Sequence, residues 1–320
     1  QVHGVQRRPP EAQLLGNALD AAGESGIHRT AEVQTAAAAQ RERQCRRDQG
    51  FPAAGQRYAV GFGKHPVGFM LIPFMMFYDR DRLEIRLYSD RRRQDDLTGQ
   101  LREAADDFID VRGMPDDRLA ERIRADGVDI LVDMSGHTAW NRLLTFARKP
   151  APVQAGWVAY PDTTGLSTMD YLIADQHVTP PGSDGDYVET LARLPDSYIC
   201  YAPPSYAPEV APAPVESRGY VTFGCYNNLA KMTPGVIRTW AGILRRAPTA
   251  QLIIKAKGMR DPGVMARYRA FFDEAGIDPG RVELTGPSPH RDYLAAYAGI
   301  DVALDPFPFP GGLTTCEALY

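Results

Sequence analysis

The segment Asp305-Pro306-Phe307-Pro308-Phe309-Pro310-Gly311-Gly312-Leu313-Thr314-Thr315 carries the richest chemistry in this sequence. An apolar strand pattern ends at Leu304, a proline-stiffened turn follows, and glycines and hydroxyls open a helix. Unpaired backbone N–H groups and the helix dipole favour an anion at such a place. Thr314 and Thr315 would add side-chain donors. Taken by itself, the same pattern also describes an ordinary capped helix after a strand. A second place is Asn227-Asn228-Leu229-Ala230-Lys231-Met232-Thr233-Pro234, where Lys231 stands just ahead of a helix start. An ammonium there can act as a point charge on a phosphate; a solvated lysine in a polar loop is the alternative. His65 precedes Pro66 just past the first strand, and His137 follows another strand in Asp133-Met134-Ser135-Gly136-His137-Thr138. Either histidine could act as a base or bind a sugar hydroxyl, or simply cap a helix. The loop Trp157–Gly165 follows the next strand, and three loops converging on one sheet edge point to a site.

Other chemistries are excluded by what is missing. There is no GxxxxGK[ST], no GxGxxG after a strand and no GxSxG. Asp79-Arg80-Asp81 and Asp184-Gly185-Asp186 have a metal-chelating shape but sit in charged or turn-like surroundings, so no metal is expected. The four cysteines lie far apart without CxxC spacing, which suits a reducing compartment and argues against zinc or a disulfide framework. Lys+Arg 36 against Asp+Glu 40 leaves a net charge of -4, unlike a nucleic-acid footprint. No apolar run reaches membrane-spanning length, and no apolar core follows the first arginines. The expectation is a cytoplasmic, metal-free protein with no nucleic-acid or membrane partner.

The elements that must position these residues alternate. Residues 1–56 are Ala-, Gln- and Arg-rich and poor in large apolar residues, which predicts a weakly ordered or helical extension. From Arg57, strands are expected at Tyr58–Phe62, Leu83–Tyr88, Val128–Met134, Val153–Ala159 and Tyr171–Ala174, with helices at Pro66–Tyr78 and Pro115–Ala125. Continuous apolar strands suit a parallel sheet buried on both faces. Five prolines in Ala202–Pro214 predict a linker over 202–216. Over 217–320 the alternation restarts, with strands at Tyr220–Phe223, Gln251–Lys255, Arg281–Leu284 and Asp301–Leu304. Helices are expected at Pro234–Arg246, Pro262–Ala275 and Arg291–Ala298, the first capped by Thr233. The α/β reading is therefore two doubly wound, Rossmann-like domains, 57–201 and 217–320, facing a cleft. The second, of about a hundred residues, is small for this architecture and is expected to be truncated.

The strings HPVGF (65–69), ADGVDILVDMSGHT (125–138), ARKPAPVQAGWVAYPDTTG (147–165), MDYLIAD (169–175), VTFGCYNNLAKMTP (221–234), AGIDPGRVELTG (275–286) and IDVALDPFPFPGGLTTCEAL (300–319) resemble the catalytic region of O-linked N-acetylglucosamine transferases, glycosyltransferase family 41. The best match is to the bacterial, SPINDLY-like branch, usually found behind tetratricopeptide repeats. The resemblance implies a GT-B fold and inverting, metal-independent transfer of a sugar from a nucleotide donor to Ser or Thr of a protein. The implied donor is UDP-GlcNAc, used as a substrate with no cofactor; relatives using GDP-fucose keep that donor as the alternative. An inactive fragment or binding module is the other alternative.

Carried over, Lys231 neutralises the diphosphate, Thr314 and Thr315 hold the phosphates, Glu317 reaches the ribose, and Ser288, His290 and Tyr293 flank the uracil. Asn228 joins the donor-binding set. His65, Thr138 and the loop with Val158, Ala159 and Pro161 surround sugar and acceptor, and His65 and Lys231 are the residues implied to be catalytic. The match also departs from the family in places. The loop Gly63-Lys64-His65 is short, Ala159 stands where a glycine is frequent, and Tyr293 stands where some relatives have histidine. Residues 1–56 do not resemble tetratricopeptide repeats, so acceptor choice would rest on a repeat domain absent here.

Overall fold

The computed structural model describes residues 54–59, as a strand, and 62–320. Apart from the residues that begin that strand, the expected extension 1–56 lies outside the described residues. The chain divides into two compact units, residues 1–202 and 203–320.

The first unit is built on a parallel sheet of seven strands in the order β3-β2-β1-β4-β5-β6-β7. These are β1 (Ala54–Ala59), β2 (Glu84–Ser89), β3 (Asp107–Asp110), β4 (Ile130–Asp133), β5 (Val153–Gly156), β6 (Tyr171–Asp175) and β7 (Thr190–Leu194). The helices are α1 (Pro66–Phe77), α2 (Asp96–Ala104), α3 (Asp116–Ala125) and the single turn α4 (Leu143–Phe146). β1 starts at Ala54 rather than Tyr58 because it is paired on both sides, Ala54 with Glu84 and Gly55 with Ile130 as well as Ile85. Ladder hydrogen bonds thus carry a segment with no apolar run. β3 and β7, which no apolar pattern predicts, are the two edges of the sheet. α1 is apolar nearly all round and buries Val67, Phe69, Leu71 and Phe74; Phe74 meets the ring of Trp157 edge-on at 5.9 Å. α2 starts with a reciprocal capping box between Asp95 and Thr98.

The second unit has four parallel strands in the order β10-β9-β8-β11. They are β8 (Thr222–Cys225), β9 (Gln251–Lys255), β10 (Val282–Thr285) and β11 (Val302–Ala303). Its helices are α5 (Pro214–Arg218), α6 (Pro234–Arg246), α7 (Pro262–Glu274), α8 (His290–Ala295) and α9 (Leu313–Leu319). α6 begins as its sequence requires, with the Thr233 hydroxyl accepting from Val236 N–H and Pro234 in the first turn. Val236, Ile237, Trp240, Ala241 and Leu244 form its buried stripe at helical spacing against β8 and β9. Fully burying each large side chain contributes about 1.5–3 kcal/mol.

In both units the chain starts in the middle of the sheet, adds strands to one side, and then crosses to the other. The strand order therefore reverses between β1 and β4, and again between β8 and β11. Ligands of open parallel sheets bind beyond the C-terminal ends of such strand pairs. His65 follows β1 and His137 follows β4; Lys231 follows β8, and the Asp305–Thr315 segment follows β11. Among the described residues, no helix is long and apolar enough to cross a membrane.

Candidate functional site

In the second unit, the loops after β8 and β11 are sewn together by side chains. Buried Asn227 donates to Asp305 Oδ1 at 3.1 Å and accepts from the Thr314 hydroxyl at 3.0 Å. Asp305 also accepts from Gly311 N–H (3.1 Å) and the Thr315 hydroxyl (2.9 Å). Lys231 Nζ donates to the Pro310 carbonyl at 2.7 Å and lies 4.5 Å from the centre of the Phe309 ring. Desolvation holds the Lys231 pKa below the usual lysine value, while Asp305 and Cys225 pull it back up. Burial pushes Cys225, at the end of β8, up to about 11, so it is a neutral thiol beside the site at neutral pH. The ammonium of Lys231 and the hydroxyls of Thr314 and Thr315 are thus held around one glycine-rich turn. Gly311 has a structural reason, since a Cβ there would fall 2.3 Å from Thr315 Oγ1 and 2.5 Å from Thr314 Oγ1.

An aromatic wall adjoins this turn. The Tyr297 hydroxyl donates to the Thr314 carbonyl (3.1 Å), and its oxygen lies 3.2 Å from the Tyr293 hydroxyl. Tyr293 also donates to the Tyr226 carbonyl at 3.2 Å, and burial is the main cause that raises its pKa and that of Tyr297. The His290 ring stacks on Tyr293, with centroids 6.0 Å apart and planes 15° apart. Its Nε2 donates to the buried Glu317 carboxylate at 2.8 Å, and its Nδ1 lies 2.7 Å from the Tyr206 hydroxyl. The Ser288 hydroxyl oxygen is buried and has no hydrogen-bond partner among the described residues.

Sequence reasoning named Asn228, which lies exposed and caps the turn Leu229–Lys231 by accepting from Ala230 N–H at 3.1 Å. Asn227, its neighbour, and Asp305 are the residues that join the two loops. Two adjacent asparagines give no sign of which turns inward; the cap decides it.

In the first unit, the short Gly63–His65 loop sits over α2. Lys64 N–H donates to Asp95 (2.9 Å), and a Cβ on Gly63 would meet the Arg91 guanidinium at 2.5 Å. The His65 Nδ1 accepts from Val67 N–H at 3.4 Å, capping α1. The residue is exposed overall, yet its ring is crowded enough that desolvation, with help from Arg91, lowers its pKa below 6.5. Thr138 turns back onto the Ser135 carbonyl through its hydroxyl at 2.8 Å. Val158 is buried at φ +71°, an unusual conformation for a β-branched residue, and Ala159 and Pro161 follow it half-buried. The loops after β4 and β5 meet where His137 packs edge-on against Tyr160 at 5.5 Å and donates to the Thr164 carbonyl at 2.8 Å. Asp133, fully buried, accepts from Ser135 N–H (3.1 Å) and Gly136 N–H (2.7 Å). Desolvation pushes its pKa up to about 6 against those bonds. Of the two acidic triplets, Asp184 is clamped by Arg193 through two 2.9 Å bonds, and Asp79 closes a local turn with Asp81 N–H at 3.1 Å.

Comparison with known proteins places this geometry. The model of glycosyl transferase family 41 matches residues 41–202, half of the chain. The chain belongs to glycosyl transferase family 41. Among curated family-41 relatives, it is 40% identical over 80% of its length to the probable UDP-N-acetylglucosamine–peptide N-acetylglucosaminyltransferase SPINDLY of Solanum lycopersicum. It is 38% identical over 81% of its length to the protein of the same name from Arabidopsis thaliana. The chain spans 28% and 29% of those two relatives. Among solved structures, a mutant of the Thermobaculum terrenum O-GlcNAc transferase superposes with a TM-score of 0.80 at 42% identity, covering 84% of this chain and 51% of that one. Anabaena HepE, solved with UDP and glucose, matches with a TM-score of 0.50 at 12% identity over 83% of this chain and 78% of its own, a likeness of fold. The family-41 chain has the α/β architecture of the GT-B glycosyltransferases, with two parallel-sheet units.

Proposed function

We propose that this chain is a catalytic region that moves N-acetylglucosamine from UDP-GlcNAc to Ser or Thr hydroxyls of proteins, by an inverting reaction without a metal. The observation that carries the reading is the union of Lys231, Thr314 and Thr315 at the β8/β11 reversal in a family-41 chain. The acceptor oxygen attacks the sugar C1 from the face opposite the diphosphate, the C1–O bond breaks, and UDP leaves with its electron pair. Negative charge then grows on the departing phosphate. The Lys231 ammonium, with N–H donors left beside its bond to the Pro310 carbonyl, is already in place to meet that charge. The Thr314 and Thr315 hydroxyls, which donate to Asn227 and Asp305, rotate to the phosphate when it binds. The half-buried position of Lys231 strengthens its attraction for an anion.

The uracil and ribose are assigned to the aromatic wall of His290 and Tyr293, the Ser288 hydroxyl and Glu317. An orphaned buried hydroxyl is a group that a bound polar ligand can satisfy. His65, Thr138, Val158, Ala159 and Pro161 are assigned to sugar and acceptor. With Nδ1 occupied by the helix cap, neutral His65 offers its Nε2–H as a donor to a sugar or phosphate oxygen. The three described cysteines, Cys200, Cys225 and Cys316, are free thiols.

The test is transfer from labelled UDP-GlcNAc to protein acceptors by the protein as its gene encodes it. Lys231→Ala is expected to lower turnover at least about 10²-fold while leaving the circular dichroism spectrum unchanged. Turnover within a few-fold of the parent refutes the assignment, and transfer only from GDP-fucose moves the donor.

A further inference from the structure

The loops after β4 and β5 fix one histidine in a single tautomer and leave its second nitrogen open. His137 Nε2 lies 2.8 Å from the Thr164 carbonyl oxygen. A carbonyl only accepts, so Nε2 carries the proton and Nδ1 of the neutral ring carries the lone pair. Nδ1 has no hydrogen-bond partner among the described residues, and His137 is exposed. The carbonyl that sets the tautomer is itself held: Thr164 donates through its N–H (2.8 Å) and its hydroxyl to the buried Glu189 carboxylate, which also accepts from the Thr163 hydroxyl at 2.7 Å. The imidazole is braced edge-on by Tyr160. That close approach needs Gly136, whose φ is +52° and where a Cβ would lie 2.2 Å from Tyr160 Cβ. His65 is wired the other way round, with Nδ1 taken by Val67 N–H and Nε2 left as the protonated nitrogen.

We infer that His137, rather than His65, is the general base, and that its Nδ1 takes the proton of the acceptor hydroxyl. The inference rests on the transferase reading above. In the step, the Ser or Thr oxygen bonds to the sugar C1, the C1–O phosphate bond breaks, UDP departs with that electron pair, and the hydroxyl proton moves to Nδ1. The imidazolium so formed keeps its Nε2–H bond to Thr164. The groups facing it are the Asp133 carboxylate at the end of β4, the Tyr160 ring at its side, and Glu189 behind Thr164. Asp133 and His137 attract each other when both are charged. A base held by a third group that fixes its tautomer is the arrangement that nucleophile activation requires.

The experiment uses the protein as its gene encodes it, with UDP-GlcNAc and an acceptor peptide, over about pH 5.5 to 9. His137→Gln is expected to lower kcat by 10²–10⁴-fold. UDP affinity by calorimetry should stay within about two-fold, and the acidic limb of the kcat/KM profile should disappear. His65→Gln should keep that limb. The inference is overturned if His137→Gln stays within about three-fold in kcat, retains the acidic limb, or loses UDP affinity in step with kcat, as a structural residue would. If the unaltered protein binds UDP yet transfers no GlcNAc from UDP-GlcNAc, the transferase reading is what fails, and the base assignment falls with it.

Discussion

Gly136→Ala is the substitution whose effect can be worked out most directly from the geometry. Gly136 sits at φ +52°, in the left-handed region, and donates its N–H to Asp133 at 2.7 Å. Placing an L-residue there costs about 1–2 kcal/mol in backbone strain. The added Cβ would also lie 2.2, 2.4 and 2.6 Å from Tyr160 Cβ, Cγ and Cδ1. Those atoms stand at the root of the side chain, so no rotamer change relieves the clash; the Val158–Pro161 turn itself must move. Overpacking of this kind adds about 1–3 kcal/mol, for a total of roughly 2–5 kcal/mol. For a unit of this size, that is a fall in Tm of roughly 4–20 °C. Gly113→Ala is the control: its φ is +74° and nothing lies within 4 Å of its Cβ, so only the backbone part applies. Scanning calorimetry of both variants beside the parent measures the difference. Equal Tm values for the two variants would refute the reasoning that Gly136 is required by Tyr160.

Asp133→Asn tests the buried carboxylate. Because its folded pKa is raised to about 6 from 3.8, the folded state binds more protons than the unfolded state across that window. Its contribution to stability is therefore fully present below about pH 4 and lost as pH rises through about 6. The parent should lose on the order of 1–3 kcal/mol relative to Asp133→Asn between pH 4 and 7, read from urea unfolding at several pH values; parallel pH profiles would contradict this. Asn227→Ala removes the link between Asp305 and Thr314 and leaves the Thr314 hydroxyl without its acceptor. Its cost, about 1–3 kcal/mol, should appear as a roughly 5- to 150-fold loss of UDP affinity. Unchanged affinity by titration would show that the two loops hold together without it. Asn228→Ala, at the exposed neighbour, should change affinity less than about three-fold by the same titration, and an equal loss would return the role to Asn228.

What the sequence made legible follows from how local its causes are. The helix Pro234–Arg246 matches residue for residue, because Thr233, Pro234 and the apolar spacing all act within a few positions. The strand Gln251–Lys255 matches too, as a run buried between two neighbours. The edges were not legible: Asp107–Asp110 and Thr190–Leu194 are short and pair on one side only, so neither needs an apolar run. The expected strand to Ala159 ends at Gly156, because Val158 takes a positive φ that no propensity announces.

At the site, the glycine- and threonine-rich turn and Lys231 were readable as types of residue at two strand ends, and the strand order brings those ends together. The partners that hold them were not. Asp305 reads as a solvated acid beside a proline, Glu317 meets His290 across 27 residues, and Glu189 reaches Thr164 across 25. Hydrogen bonds over such separations leave no local pattern.

The central claim is that the β8/β11 reversal binds a uridine diphosphate. Calorimetric titration of this chain with UDP, and separately with GDP, tests it most directly. The account predicts saturable binding of UDP, tighter than GDP and lost in Lys231→Ala; equal or tighter binding of GDP, or no heat from either nucleotide, would contradict it.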